Sequence, residues 1–182
     1  MPWTNQDLEL FHGCADAALQ PVNPVGIGAG GNPHNIQLSL CRPLTDFGRG
    51  FYTTTWEHQA KEWANQQTRR LFRARGSTAA AIVLRFQVGR DRLAELEDLV
   101  FTRDTTEFYD LVQDCRSGVL PHGRTPANNP RGLVEYDLVY GPVSLWRQKL
   151  VIKDCDQISF HTPQALAILP SPDVHARGNP LF

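Results

Sequence analysis

The sequence predicts an α+β fold, on three observations. Ile82, Leu84, Phe86 and Val88 alternate with smaller or polar residues, as do Val134, Tyr136, Leu138 and Tyr140, which is the pattern of half-buried strands. Before them, Trp56, Ala60, Trp63, Ala64 and Leu71 recur at helical spacing. The two kinds of segment do not follow one another in strict strand–helix–strand order, so a parallel wound sheet is not implied. A chain of 182 residues suits one compact domain.

Taken in order, Leu8 to His12 reads as a short strand stopped by Gly13. A loop rich in Pro, Gly and Asn follows from Gln20 to Thr45, and loops that long tend to be functional or mobile. Inside it Gly26, Gly28 and Gly31 match GxGxxG formally. Pro21 and Pro24 precede it and Pro33 follows, whereas a dinucleotide fingerprint needs a strand before and a helix after, so it is read as a loop. Phe51 to Thr53 is a second strand, entered through Gly48-Arg49-Gly50. Thr54 and Glu57 stand at capping-box spacing for the helix that follows, with its apolar positions facing the core, and Gly76 ends it. The stretch from Arg92 to Cys115 is expected as two helical pieces broken around Thr102 to Thr106, and Gly118 to Gly132 as irregular chain.

Gly141-Pro142 is expected to terminate the strand through Tyr140, and Leu150 to Ile152 to form another. Ile158 and Phe160 form an apolar face with Gln157, Ser159 and His161 opposite. Thr162-Pro163 suits a cap and first turn for a last helix through Leu169, with a loose tail after it.

Composition excludes several function classes. Hydrophobic residues make up 41% of the chain and the net charge is −1, ordinary for a globular protein and without a global nucleic-acid or membrane signature. The cluster Arg69, Arg70, Arg73 and Arg75 is the exception, read as a solvated helix end that complements the helix dipole. Cys14, Cys41, Cys115 and Cys155 form no CxxC pair and are expected as free thiols. The first twelve residues lack the apolar core of a signal peptide, and no apolar stretch reaches membrane-span length. The expected location is cytoplasmic, or a target cell reached by a signal-less secretion route.

Three segments stand out by their spacing: Leu10-Phe11-His12-Gly13; Asp46-Phe47-Gly48-Arg49-Gly50-Phe51-Tyr52-Thr53-Thr54; and Asp156-Gln157-Ile158-Ser159-Phe160-His161-Thr162. Gln59-Ala60-Lys61-Glu62-Trp63-Ala64 and Tyr136-Asp137-Leu138-Val139-Tyr140-Gly141-Pro142-Val143 stand between them. In this order they resemble the ADP-ribosyltransferase superfamily, in its branch with a His on the first motif strand and a Tyr on the second. Within that branch they are most similar to the bacterial group called domain of unknown function 3990. The resemblance covers Glu9 to Leu169.

It implies a split β-sandwich of two small sheets with flanking helices, occupying residues 1–170, with 171–182 as a C-terminal tail. The two sheets would meet at a cleft for NAD+, which is bound as substrate, and the nicotinamide–ribose bond would be broken there. Such cleavage puts oxocarbenium character on the sugar, a demand glycosidases meet with carboxylates. By the same resemblance His12 bonds a ribose hydroxyl, the backbone of Gly13 grips the carboxamide, and Tyr52 stacks on the nicotinamide ring with Thr53 beside it. Gly48 and Gly50 let the main chain approach the ligand, and Arg49 reaches a phosphate on the strength of its charge.

Gln157 takes the position where better-known transferases of the branch carry a Glu. A Gln donates and accepts hydrogen bonds but is no general base. Asp137, and after it Glu135, are candidate substitute carboxylates. The acceptor is an unidentified macromolecule or small molecule, a toxin-like or effector-like role is implied, and a neutralising antitoxin or immunity protein is an expected partner. Ser144-Leu145-Trp146 departs from the group's pattern at the acceptor-facing turn.

The alternative of another class is a catalytically inactive module on the same fold that binds NAD+ or protein, kept open by Gln157. Two further readings are weaker. Cys14 as nucleophile lacks a helix start beside it. A metal site from His12, His58 and His161 lacks a helical HxxxH pair.

Overall fold

The computed structural model describes residues 5–19, 36–76, 78–118 and 136–182. The expected loop from Gln20 to Thr45 lies outside these as far as residue 35, and with it the glycines of the GxGxxG match. So do Glu135 and most of the irregular segment after Gly118.

The fold is α+β, with one sheet of three strands and one of four. The strands are β1 (Leu8–Ala15), β2 (Phe51–Thr53), β3 (Ala81–Val88), β4 (Asp98–Val100), β5 (Leu138–Leu145), β6 (Leu150–Phe160) and β7 (Asp173–Arg177). The helices are α1 (Glu57–Arg75), α2 (Arg90–Leu93), α3 (Thr106–Ser117) and α4 (Pro163–Ala167). The chain divides into two compact units. The first takes 1–37, 53–91 and 168–182, and the second takes 38–52 and 92–167.

In the first unit β3 is the central strand, antiparallel to β1 on one side and β7 on the other. Seven of the eight side chains of β3 are Ala, Ile, Val, Leu, Phe or Gln with Arg85 as the eighth, and six of them are buried. β1 runs on through Gly13 to Ala15, past the expected stop. The reason lies on its neighbours: Gly13 is opposite Val83, and a Cβ on it would sit 2.0 Å from the carbonyl oxygen of Ala60 and 2.8 Å from the amide nitrogen of Ala64. The missing side chain is the space into which α1 packs. Phe11, Ala60 and Val83 form the apolar cluster there.

α1 buries Ala60, Ala64, Asn65 and Thr68. Small residues face the strand because the backbones come close. Trp56 and Trp63, expected in the core, are exposed, since a tryptophan has no room on that face. Thr54 is not the cap itself: Trp56 holds the N-cap position, and the Thr54 hydroxyl accepts from its amide at 3.0 Å. Gly76 closes the helix in the left-handed conformation, its amide bonded to Phe72.

The expected loose tail is a strand. β7 pairs with β3 from Arg85–Asp173 to Ile82–Arg177, and two ion pairs fasten it, Arg85 to Asp173 at 2.8 Å and Arg177 to Asp16 at 2.6 Å. Beyond it the amide of Phe182 bonds the Asn65 side chain at 3.0 Å, which satisfies a buried amide on α1.

The second unit holds the sheet β2-β6-β5-β4, with β5 antiparallel to β6 and parallel to β4. Its core is Phe47, Phe108, Leu111, Val112, Cys115 and Val139. β5 continues past Gly141-Pro142, because the ladder to β6 absorbs the proline at a register shift between Pro142 and Ser144. The two strands expected at 150–152 and 158–160 are one, β6, buried on both faces from Asp156 to Phe160. The first expected helical piece after Arg92 is the short α2 and then β4, leaving α3 as the amphipathic helix. Thr105 caps α3 through a bond from the Phe108 amide at 3.3 Å.

Candidate functional site

Asp46 organises the second unit, and it was read only as the first letter of a motif. Its carboxylate is 2% exposed and accepts four hydrogen bonds. Oδ1 takes Arg116 Nε at 2.8 Å and Nη2 at 2.5 Å; Oδ2 takes the Ser144 amide at 2.9 Å and Gln157 Nε2 at 2.7 Å. A buried carboxylate is tolerable only with such a donor set. Gln157 Nε2 also donates to the Pro142 carbonyl at 2.9 Å, so both hydrogens of that amide are placed. Its acceptor, Oε1, is the part of the side chain left to meet anything else.

Tyr52 on β2 is held by its hydroxyl. The oxygen accepts from the Phe47 amide at 2.9 Å and the Thr45 hydroxyl at 2.8 Å, and it donates to the Gly48 carbonyl at 2.9 Å. Thr45 also lies against that carbonyl. The turn is closed by the Gly48 amide on Thr45, with Gly48 at φ 80°, where a side chain would be strained. Burial of the phenol pushes it well above its ordinary range, so it stays a donor to Gly48 at neutral pH. The ring itself keeps partial exposure, edge-on to the His161 imidazole at 6.5 Å.

His161, weighed from the sequence only as a metal ligand, is a second member of the site. Its Nδ1 lies 2.8 Å from the Arg49 carbonyl, an acceptor only, so that nitrogen carries a proton. Its Nε2 lies 2.7 Å from the Ser159 hydroxyl, which is fully buried and also reaches the Val139 carbonyl at 3.2 Å. A Cβ on Gly50 would come within 2.8 Å of the imidazole, so that glycine is needed for the ring to approach the main chain this closely. Arg49 turns its guanidinium back onto its own chain: Nη1 donates to the carbonyls of Ser39 at 2.5 Å and Cys41 at 2.8 Å.

Asp137 is committed to the fold on both oxygens. Oδ2 accepts from the Glu97 amide at 3.2 Å and Oδ1 from the Thr162 hydroxyl, while its carbonyl takes the His161 amide at 2.9 Å. It clamps the start of β4 to the end of β6. Thr162 in turn caps α4 through the Ala165 amide, the arrangement its place before Pro163 suggests. The Ser144 hydroxyl is buried without a hydrogen-bond partner among the described residues.

The structure thus joins the second and third motifs into one constellation of Asp46, Gly48, Gly50, Tyr52, Gln157 and His161. Only their sequence order announced this, since Asp46 and Gln157 are 111 residues apart. His12, Gly13 and Thr53 belong to the first unit. His12 is half-buried on β1 opposite Leu84, on the face shared with Leu10 and Cys14. Phe11 exchanges both backbone bonds with Thr54, at 2.7 and 2.9 Å, in a bridge confined to that pair. Gly13, two residues on, presents its N–H and C=O to the same edge. Thr53 is buried.

Cys14, weighed as a nucleophile, is pushed up to about 12, first by burial and then by Asp16, and so stays a thiol at neutral pH. Among the described residues no three His, Cys, Asp or Glu side chains come together as a metal site, and no helix is long and apolar enough to cross a membrane.

A family model described as a protein of unknown function, DUF3990, matches residues 30–145, well over half of the chain, and the chain belongs to that family. No curated protein and no solved structure matches it.

Proposed function

We propose, with membership of that family as the premise, that the protein is an NAD+-dependent ADP-ribosyltransferase that breaks the nicotinamide–ribose bond. The observation that carries the proposal is the bond from Gln157 to Asp46. It ties the DFGRGFYT segment to the QISFHT segment, the two motifs that the resemblance to ADP-ribosyltransferases requires to work together.

The chemistry follows from what each group presents. Tyr52 is fixed at its hydroxyl and offers its ring face to a cationic nicotinamide, a contact of about 0.5–2 kcal/mol. Gln157 has both amide hydrogens engaged, so it would meet the nicotinamide ribose through Oε1 as acceptor of a hydroxyl proton. As the bond from C1 of the ribose to the ring nitrogen breaks, its electron pair leaves with neutral nicotinamide. An acceptor nucleophile then attacks C1 and loses its proton. Water in that place gives hydrolysis. The acceptor is a macromolecule or a small molecule, and the role is that of a toxin or effector with a neutralising partner.

A second reading, an inactive NAD+-binding or protein-binding module, is favoured by one observation. Asp137, the carboxylate that could replace the missing Glu, is bonded on both oxygens.

Purified protein incubated with NAD+, followed by nicotinamide release, tests the proposal. Gln157→Ala should slow release by about 10²–10³-fold, the usual loss for one well-placed group. Tyr52→Phe keeps the ring but loses the hydroxyl that fixes it to the turn and should lower activity, whereas Tyr52→Ala should lose it. NAD+ binding without release, with or without cell lysate, would establish the inactive NAD+-binding module; no NAD+ binding at all overturns the enzyme reading and leaves only the protein-binding module.

A further inference from the structure

From Trp63 to Arg90 the chain carries six arginines and no acid, so the remainder of a molecule of net charge −1 is acidic. Arg85 is spent on ion pairs with Glu9 and Asp173. Arg69, Arg70, Arg73 and Arg75 are exposed on α1, and none of the four is ion-paired within the described residues. The helix dipole accounts for Arg73 and Arg75, which lie in the last turn, but its effect fades within that turn and does not reach Arg69 or Arg70. Arg69 and Arg73 are also a like-charge pair one turn apart, which costs an isolated helix stability.

The same face carries aromatic rings in water. Trp63 is 44% exposed and Phe72 64%. At 100° per residue Arg69 and Arg73 run down the middle of the exposed arc, with Arg70 and Trp63 to one side and Phe72 to the other. The Arg70 guanidinium lies 5.6 Å over the Trp63 ring, so cation and π-face are offered together. Glu62 is the nearest acid on that arc, about two turns before Arg69.

We propose that this face of α1 is a docking surface for single-stranded nucleic acid. The arginines meet phosphates, and the exposed aromatic faces stack on bases, the combination that sequence-tolerant single-strand binding uses. An acidic polypeptide would satisfy the arginines and leave the rings in water. The surface is independent of the NAD+ reading, and the test involves no turnover.

The test is fluorescence anisotropy of labelled oligouridine and oligothymidine with the full chain across a salt series, with polyglutamate as a competing probe. Binding should weaken with salt along a log–log slope of about −2.1 if Arg69, Arg70 and Arg73 each contact one phosphate. The triple variant R69Q/R70Q/R73Q should remove nearly all of that slope. Trp63→Ala should weaken binding about tenfold at fixed salt through loss of stacking. Circular dichroism melts of these surface variants check that the fold is kept. The proposal is overturned if the oligonucleotides do not bind at low salt, or if the triple variant and Trp63→Ala bind as wild type does. It is also overturned if polyglutamate binds more tightly than either oligonucleotide and is indifferent to Trp63, which assigns the face to an acidic protein.

Discussion

At the scale of the residue, Asp46 decides whether the site exists. Replacing it by Ala strips an acceptor from Arg116, the Ser144 amide and Gln157 at once. Losing one partner of a buried ion pair costs about 3–5 kcal/mol, and because Arg116 can turn toward solvent the lower end applies here, about 3 kcal/mol. Urea denaturation should show that loss, and Asp46→Asn should recover part of it. A midpoint unchanged in Asp46→Ala would mean that the four bonds are ornamental. Such a hub was not legible in the sequence. Asp46 shows there as one acid among many, and its partners Arg116 and Gln157 lie 70 and 111 residues away. Tyr52 was legible as an aromatic beside glycines, but its hydroxyl anchor in the preceding turn was not. The resemblance put a ligand against the main chain at Gly13 and Gly50. The structure shows protein on the approaching side of each: the backbone of α1 at Gly13 and the His161 ring at Gly50.

Among the elements, β7 shows how far local pattern can mislead. Asp173 to Arg177 lacks the alternating apolar residues of a central strand and follows two prolines, so it reads as a tail. Its stability comes from β3, which is buried along nearly its whole length and offers a complete edge to whatever chain can pair with it. Removing residues 171–182 should cost at least about 3 kcal/mol, because Asn65 and the paired groups of β3 lose their partners. A truncated chain with an unchanged urea midpoint would restore the tail reading. β3 was legible from its own periodicity, and the helix from residue 57 in part, since Ala60 and Ala64 are buried as that spacing suggests while Trp56 and Trp63 are not. The elements misread were set by neighbours. β5 runs through Gly141-Pro142 because β6 accommodates the irregularity, and the α1 tryptophans face water because Gly13 draws the helix too close for them.

For the whole molecule, the buried acidic protons make stability depend on alkaline pH. Burial raises Cys14 from the ordinary 9.0 to about 12 and, against the opposing pull of Arg49, Cys41 to about 11; it raises the Tyr52 phenol as well. All three titrate above their unfolded values. In the interval between, the unfolded chain has lost protons that the folded chain still holds, so raising pH drives unfolding. The contribution is complete below about pH 9 and drains away as pH climbs toward about 12, at roughly 1.4 kcal/mol per pH unit for each group in its window. Urea midpoints measured at rising alkaline pH should therefore fall, and in Cys14→Ala the fall should be shallower by one group's share, whatever the variant's lower starting stability. The two thiols lie in different units, Cys14 on β1 and Cys41 beside the Arg49 side chain, so each unit carries its own alkaline weak point. If the slope is the same in Cys14→Ala, that thiol is already open to solvent, and the close packing of β1 that excludes it as a nucleophile is not kept in solution.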